Sequence, residues 1–259
     1  MIITNKKQLK AYQQAAKIST QILASLRQAL KPGIYPIKID KLAEKLCQQH
    51  QVKPAFKGVK HKDKIYQYST CISINDTVVH GVPSSTRKIQ PRDIVKIDFG
   101  IVYQGLYTDH CFTVAINKLT PQSRKLITTA KKAVQSAIPK AITANTTGDL
   151  GHTIQTIAQK AGFDVLKKYT GHGIGKSLHQ PPTIPAHGQP RLGEELKKGM
   201  VICLEAQLVT GSDKVYIDKD GWTVKMADKG NTAMFEYILV VQDKKPLILT
   251  PTLNWPIVV

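Results

Sequence analysis

Four carboxylates stand inside stretches that otherwise read as core strands. Asp98 lies in Ile-Val-Lys-Ile-Asp-Phe-Gly, Asp109 in Leu-Tyr-Thr-Asp-His-Cys-Phe-Thr-Val, Glu205 in Val-Ile-Cys-Leu-Glu-Ala-Gln-Leu-Val and Glu236 in Ala-Met-Phe-Glu-Tyr-Ile-Leu-Val-Val. The surrounding residues are β-branched, aliphatic or aromatic, as in buried strands. An ionised acid in such a place is costly unless a cation compensates it. The chain holds 37 Lys and Arg against 18 acids, so ion pairing is the first alternative, and Lys96, two residues from Asp98 on the same strand face, is a candidate partner. Glu205 and Glu236, however, have no basic residue within four positions. One or two divalent ions would neutralise all four acids at once.

The totals bound the rest. A chain of 259 residues with 42% hydrophobic content is large enough to bury a substantial core as one domain, 1–259. No apolar run approaches a membrane span, and the polar start gives no secretory signal, so a cytoplasmic protein without membrane contact is expected. Cys47, Cys71, Cys111 and Cys203 show no CxxC spacing, which fits a reducing compartment. The net charge of +19 implies attraction to polyanions (nucleic acid, the ribosome or a membrane surface), or simply a solvated basic surface. Its densest stretch holds Lys57, Lys60, His61, Lys62 and Lys64.

Leu9, Tyr12, Ala16, Ser19, Leu23, Leu26 and Leu30 recur at helical spacing and predict a first helix, stopped by Pro32-Gly33. Asp40 is expected to N-cap a second helix over 41–49. Strands are predicted near 70–75, 93–99 and 111–116. The order then recurs. Thr120 caps a helix with Pro121 at its first position, running to about Ala141, and Asp149 opens another that ends at Gly162. Gln90 to Asp98 parallels Lys197 to Glu205 at an offset of 107, and Asp40 to Asp149 is offset by 109. An internally duplicated α+β domain is therefore expected, with pseudo-repeats of about 1–117 and 118–259. A pseudo-two-fold between them would gather the four acids at one centre.

Gly171-His-Gly-Ile-Gly-Lys-Ser-Leu-His179 places three glycines in five positions beside two histidines. Glycine there lets backbone approach a site closely. His172 and His179 are too far apart in sequence to bind one ion from a single helical turn, but an extended or looped segment can aim both into one cavity. His80, before Gly-Val-Pro83, is a third candidate. Hard oxygen donors with an imidazole suit a pair of divalent ions bridged by shared carboxylates.

These residues resemble the type I methionine aminopeptidases. The motifs are Val79-His80-Gly81-Val-Pro83, Ile97-Asp98-Phe-Gly100, Thr108-Asp109, Gly171-His172-Gly-Ile-Gly175 with His179, Leu204-Glu205, Asp220-Gly-Trp222-Thr-Val and Phe235-Glu236. The resemblance implies a pita-bread fold, with a central curved antiparallel sheet and helices on its outer face. It implies two divalent metal ions (Co, Mn, Fe, Zn or Ni): Asp98 on one, Asp109 and Glu236 bridging, His172 and Glu205 completing the other. His179 would donate to the scissile carbonyl, His80 would contact the peptide nitrogen, and Glu205 would also relay protons. Trp222 and Cys71 would wall the pocket for the methionine side chain. The implied reaction is removal of the initiator methionine from nascent polypeptides with a small second residue, by a monomer acting at the ribosome.

His172 and Glu205 are 33 residues apart, which leaves no room for the helical insertion of type II members. The chain departs from the family pattern at Leu178, Met234, Tyr237, His110 and the lysine-rich stretch from Phe56 to Tyr68, where Tyr66 and Tyr68 are further wall candidates. These changes bear on pocket shape and not on the five ligands. A peptidase of X-Pro bonds and a non-catalytic ribosome- or RNA-binding module of the same fold are the competing readings.

Overall fold

The computed structural model describes residues 1–259. Helix α1 (Lys6–Ala29) starts where Asn5 Oδ1 accepts the Gln8 N–H, and it buries Tyr12, Ala16, Ser19, Leu23 and Leu26, the stripe read from the sequence. Helix α2 (Pro36–Gln49) begins a turn earlier than expected. Pro36 presets the helical φ at the first position. Asp40 is consequently not an N-cap. It is buried on the second turn, and its Oδ1 accepts the N–H groups of Ser69 and Thr70 and the Thr70 hydroxyl, each at 2.8 Å. The carboxylate thus anchors the entry to the first sheet.

That sheet is antiparallel, in the order β1 (Thr70–Ile74), β2 (Ile94–Phe99), β3 (His110–Ala115). Its register sets Asp98 between Cys71 and Cys111. Asp109 is not inside a strand, as its neighbours suggested. It lies in the two-residue link between the short strand Leu106–Tyr107 and β3. The backbones are close at the break: Gly100, just after β2, lies so near the Thr108 carbonyl that a Cβ would clash with it.

A second helix pair follows. In α3 (Pro121–Ala137), Thr120 Oγ1 accepts the Ser123 N–H at 3.0 Å, and a 3-10 turn over Ile138–Lys140 carries the chain to Ala141. In α4 (Thr147–Lys160), Asp149 is the third residue, and its Oδ2 accepts the Thr146 N–H at 2.8 Å. Asp149 therefore does not open its helix, which starts two residues earlier, but closes a capping box with Thr146, whereas Asp40 serves a tertiary contact, so the two acids of the internal match play different parts. The second sheet has the order β5-β4-β6-β7, from β4 (Gly171–Gly173), β5 (Gln180–Ile184), β6 (Val201–Val209) and β7 (Thr232–Val240).

Strand alternation sorts the faces. On β6, Ile202, Leu204, Ala206 and Leu208 join the main core with helix residues, as do Ala233, Phe235, Tyr237 and Leu239 of β7. Glu205, Gln207, Met234 and Glu236 are the alternates, and they face a cleft. The two sheets meet where the Thr113 hydroxyl donates to Met234 O at 2.5 Å and accepts the Met234 N–H at 2.9 Å, so one side chain continues the ladder.

Candidate metal centre

The four acids converge on that cleft. Glu205 and Glu236 stand directly opposite each other in the β6–β7 register. Like charges so placed repel. Ligand atoms of Asp98, Asp109 and Glu236 lie within 4.8 Å of one another, as do those of His172, Cys203 and Glu236, and of Asp109, His172 and His179. Asp98 Oδ1, Asp109 Oδ1 and Glu236 Oε1 are buried with no hydrogen-bond partner. Lys96 does not supply one. Its ammonium donates to Asn75 O at 2.9 Å, Thr232 O at 3.0 Å and Thr232 Oγ1 at 2.7 Å. Glu205 is held by the Gln207 amide and lies outside the three tight groups, although it lines the same cavity.

Burial is the largest cause of raised carboxyl pKa values here. It lifts Asp98 to about 7, and burial with the Asp98 charge lifts Glu205 to about 8. Asp109 and Glu236 are raised well above the carboxylate range by burial and then by neighbouring acids, Glu236 first for Asp109 and Glu205 first for Glu236. The acids are therefore compensated either by protons or by a cation. The donor set fits divalent metal: hard oxygens without partners beside an imidazole.

His172 is oriented for that role. The Gly173 carbonyl, 3.0 Å from Nδ1, can only accept, so Nδ1 carries the proton and Nε2 presents a lone pair. Nε2 lies 3.8 Å from Asp109 Oδ2 and 3.9 Å from Glu236 Oε1, too long for hydrogen bonds and suited to donors sharing one ion. The glycines allow the approach: a Cβ on Gly171 would meet the Cys203 carbonyl, and one on Gly173 the Pro181 carbonyl. The His179 ring lies edge-on to His172 at 4.5 Å. Burial lowers His80 and His172 to about 4, and it lowers His179 as well. All three imidazoles are therefore neutral at pH 7.

The cleft has two lobes. An acidic lobe of about 520 Å³ holds the four acids with His80, His172, His179, Gln207 and Met234. A less polar lobe of about 570 Å³ is walled by Phe56, Tyr66, Cys71, Leu178 and Trp222. His80, Asp98, Asp109, Lys168, Tyr169 and His179 line both. The metal, histidine and pocket residues implied by the sequence, with Tyr66, thus line this cleft, whereas the wall candidate Tyr68 does not. Tyr66 and Trp222 pack edge-on at 5.1 Å, while Tyr68 backs Tyr66 at 5.6 Å. Sequence reasoning missed Lys168, Tyr169 and Gln207. Gln207 had a signal, because it follows Glu205 by one pleat repeat. Lys168 had none.

The pattern of metallopeptidase family M24 matches residues 10–243. The chain is 36% identical over 250 residues to the methionine aminopeptidase of Aquifex aeolicus, covering 95% of this chain and 97% of that protein. It is 30% identical to methionine aminopeptidase 1 of Bacillus subtilis, over 96% of this chain and 99% of that protein. The crystal structure of the methionine aminopeptidase from Thermotoga maritima matches with a TM-score of 0.91 at 33% identity, over 96% of this chain and 99% of that chain. The prolidase from Pyrococcus furiosus matches with a TM-score of 0.77 at 22% identity, over 97% of this chain but 66% of its own, and shares the fold.

Proposed function

Since the chain belongs to metallopeptidase family M24, and within it to the methionine aminopeptidases, we propose that it removes the initiator methionine from nascent polypeptides, in a metal-dependent hydrolysis that favours a small second residue. The fold is the pita-bread architecture that the motifs implied. The observation that carries the proposal is the cluster of partnerless buried oxygens on Asp98, Asp109 and Glu236, set beside His172 at the mouth of an apolar lobe.

Asp98, Asp109, His172, Glu205 and Glu236 would hold two divalent ions, with Co, Mn, Fe, Zn or Ni all compatible with the donors. When bound, such ions supply an activated water and polarise a carbonyl. The protein's own groups do the rest. Neutral His179 offers an N–H to the oxyanion that develops on the scissile carbonyl. Neutral His80 contacts the peptide nitrogen, and Glu205 moves a proton between water and the leaving amine. Phe56, Tyr66, Cys71, Leu178 and Trp222 receive the methionine side chain, whose thioether packs well on aromatic edges. His80 and Tyr169 pack edge-on at 5.5 Å where the lobes join, beside the expected position of the second side chain.

The whole chain, 1–259, would act as one catalytic domain, its pseudo-repeats meeting near residue 117. No helix is long and apolar enough to cross a membrane. We place the protein in the cytoplasm as a monomer, with ribosome association through its +19 charge. The 57–64 stretch is only partly available for that contact: Lys57 pairs with Glu44, and Lys64 donates to Asp220 O at 2.9 Å. The likeness to prolidase is at the level of fold and gives X-Pro cleavage no further support. Metal-stripped protein should be inactive and, on addition of Mn²⁺ or Co²⁺, should release methionine from Met-Ala-Ser far faster than from Met-Leu-Ser. Release from neither peptide with any divalent ion would overturn the proposal.

A further inference from the structure

The cleft carries a charge pattern that the proposed reaction leaves unused. Its lining acids, Asp98, Asp109, Glu205 and Glu236, all belong to the floor. Its lysines stand around them. Lys168 lines both lobes, Lys60 and Lys62 line the apolar lobe, and all three side chains are exposed. Neighbouring lysines are held by the protein, three of them by carboxylates. Lys57 pairs with Glu44, Lys167 with Asp164 and Asp213, and Lys225 with Asp218, while Lys64 is bound by backbone carbonyls. None of the eight ion pairs involves Lys60, Lys62 or Lys168. Of the four lysines in 57–64 and 167–168 without an acidic partner, Lys60, Lys62 and Lys168 line the cleft, while Lys64 is tied to the backbone of Lys219 and Asp220.

The floor does not cancel them. Two divalent ions on four carboxylates sum to zero formal charge, so a substrate entering the loaded site meets the field of the lysines. With the first side chain in the apolar lobe, the chain beyond the scissile bond leaves past the junction of the lobes, where Lys168 stands next to Tyr169 and His80. We infer that Lys168, the one lysine lining both lobes, is a specificity-determining residue that selects peptides carrying acidic side chains just downstream of the scissile bond. The inference rests on the aminopeptidase reading above and adds the substrate class. Opposite unit charges about 6 Å apart, between the effective dielectrics of a protein surface and of water, are worth about threefold to a hundredfold in binding. Salt screens such a contact.

The test compares C-terminally amidated Met-Ala-Glu-Glu, Met-Ala-Gln-Gln and Met-Ala-Lys-Lys on metal-loaded enzyme, in buffers of about 20 mM and about 300 mM salt. The acidic peptide should exceed the basic one about tenfold in kcat/KM at low salt, with the difference carried in KM and reduced at high salt. Lys168→Gln should shrink that ratio and Lys168→Glu should invert it. Each variant is read by its own ratio, so a change in overall rate does not obscure the result. A wild-type ratio within about twofold of one at low salt, well below the expected range, would overturn the inference. So would a ratio unchanged in both variants. If the wild type fails to cleave even Met-Ala-Gln-Gln, the aminopeptidase reading itself falls, and this inference with it.

Discussion

Lys96 and Asp98 are two residues apart on one buried strand, yet their charges are met in opposite ways. The Lys96 ammonium is fully enclosed and finds three oxygens within 3.0 Å, on Asn75 and Thr232. Those acceptors come from both halves of the molecule, so the lysine stitches one sheet to the other. Asp98, with Asp109 and Glu236, keeps an oxygen that no protein donor reaches. One pleat repeat, about 6–7 Å, separates a charge the fold satisfies from a charge it leaves unsatisfied. A satisfied buried charge holds structure together, and an unsatisfied one marks where a partner from outside must come.

The largest effects are expected at the acids. Asp98→Asn removes a charged donor and should lower turnover by at least about a thousandfold with loss of bound metal, read by activity and metal analysis together. Wild-type turnover with normal metal content would remove Asp98 from the centre. His179→Ala should lower kcat by about a hundredfold and leave metal content intact, as for loss of an oxyanion donor. A change confined to KM would make His179 a binding residue. Lys96→Met should behave in the opposite sense to Asp98→Asn. It strands the Asn75 and Thr232 acceptors and should destabilise folding by about 2 kcal/mol in urea unfolding, with metal retained. Metal loss at unchanged stability would contradict the division between the two charges.

The smallest effect concerns pH. Metal-free folded protein holds Asp98 at about 7 and Glu205 at about 8, while the unfolded chain ionises near pH 4. The folded state therefore keeps protons that the unfolded chain has released. The acids' contribution to stability is complete below about pH 4 and is lost as pH rises through 7 and 8. The buried imidazoles of His80 and His172 oppose this, but only below about pH 6.5, where the unfolded chain begins to protonate. Lys96, lowered to about 7 by burial, opposes it above pH 7 with one group against several. Stripped protein should thus lose stability from about pH 6.5 to 8, and added divalent ion should flatten or reverse that slope. Equal slopes with and without metal would show that the acids are not its site.

Much of this was legible in the sequence, and the failures have physical causes. The α1 stripe and the Thr120 cap follow from local periodicity and capping chemistry, and both stand in the structure. Asp40 misled because an acid near a helix start reads as a cap, whereas Pro36 had already begun the helix. Asp109 read as a strand residue because its neighbours are apolar, but regular strand structure lapses at Thr108 and Asp109, where Gly100 approaches the Thr108 carbonyl closely. Lys96 was a reasonable partner for Asp98 by strand period alone. Only the tertiary approach of Thr232, 136 residues away, reveals its true acceptors. The convergence of the acids was legible because burying four carboxylates is hard to explain otherwise. The cationic rim was not, because exposed lysines look alike until the fold shows which of them have partners.

The most direct test of the centre counts protons. Mn²⁺ is titrated into stripped protein at about pH 7.5 in two buffers of different ionisation heat, which gives both binding and the protons released per ion. Saturable binding with about one or more protons released per ion is expected, because the raised carboxyls must give up protons to the metal. The signal should vanish in Asp98→Asn and Asp109→Asn. Binding without proton release, or unaltered binding in both variants, would contradict the account.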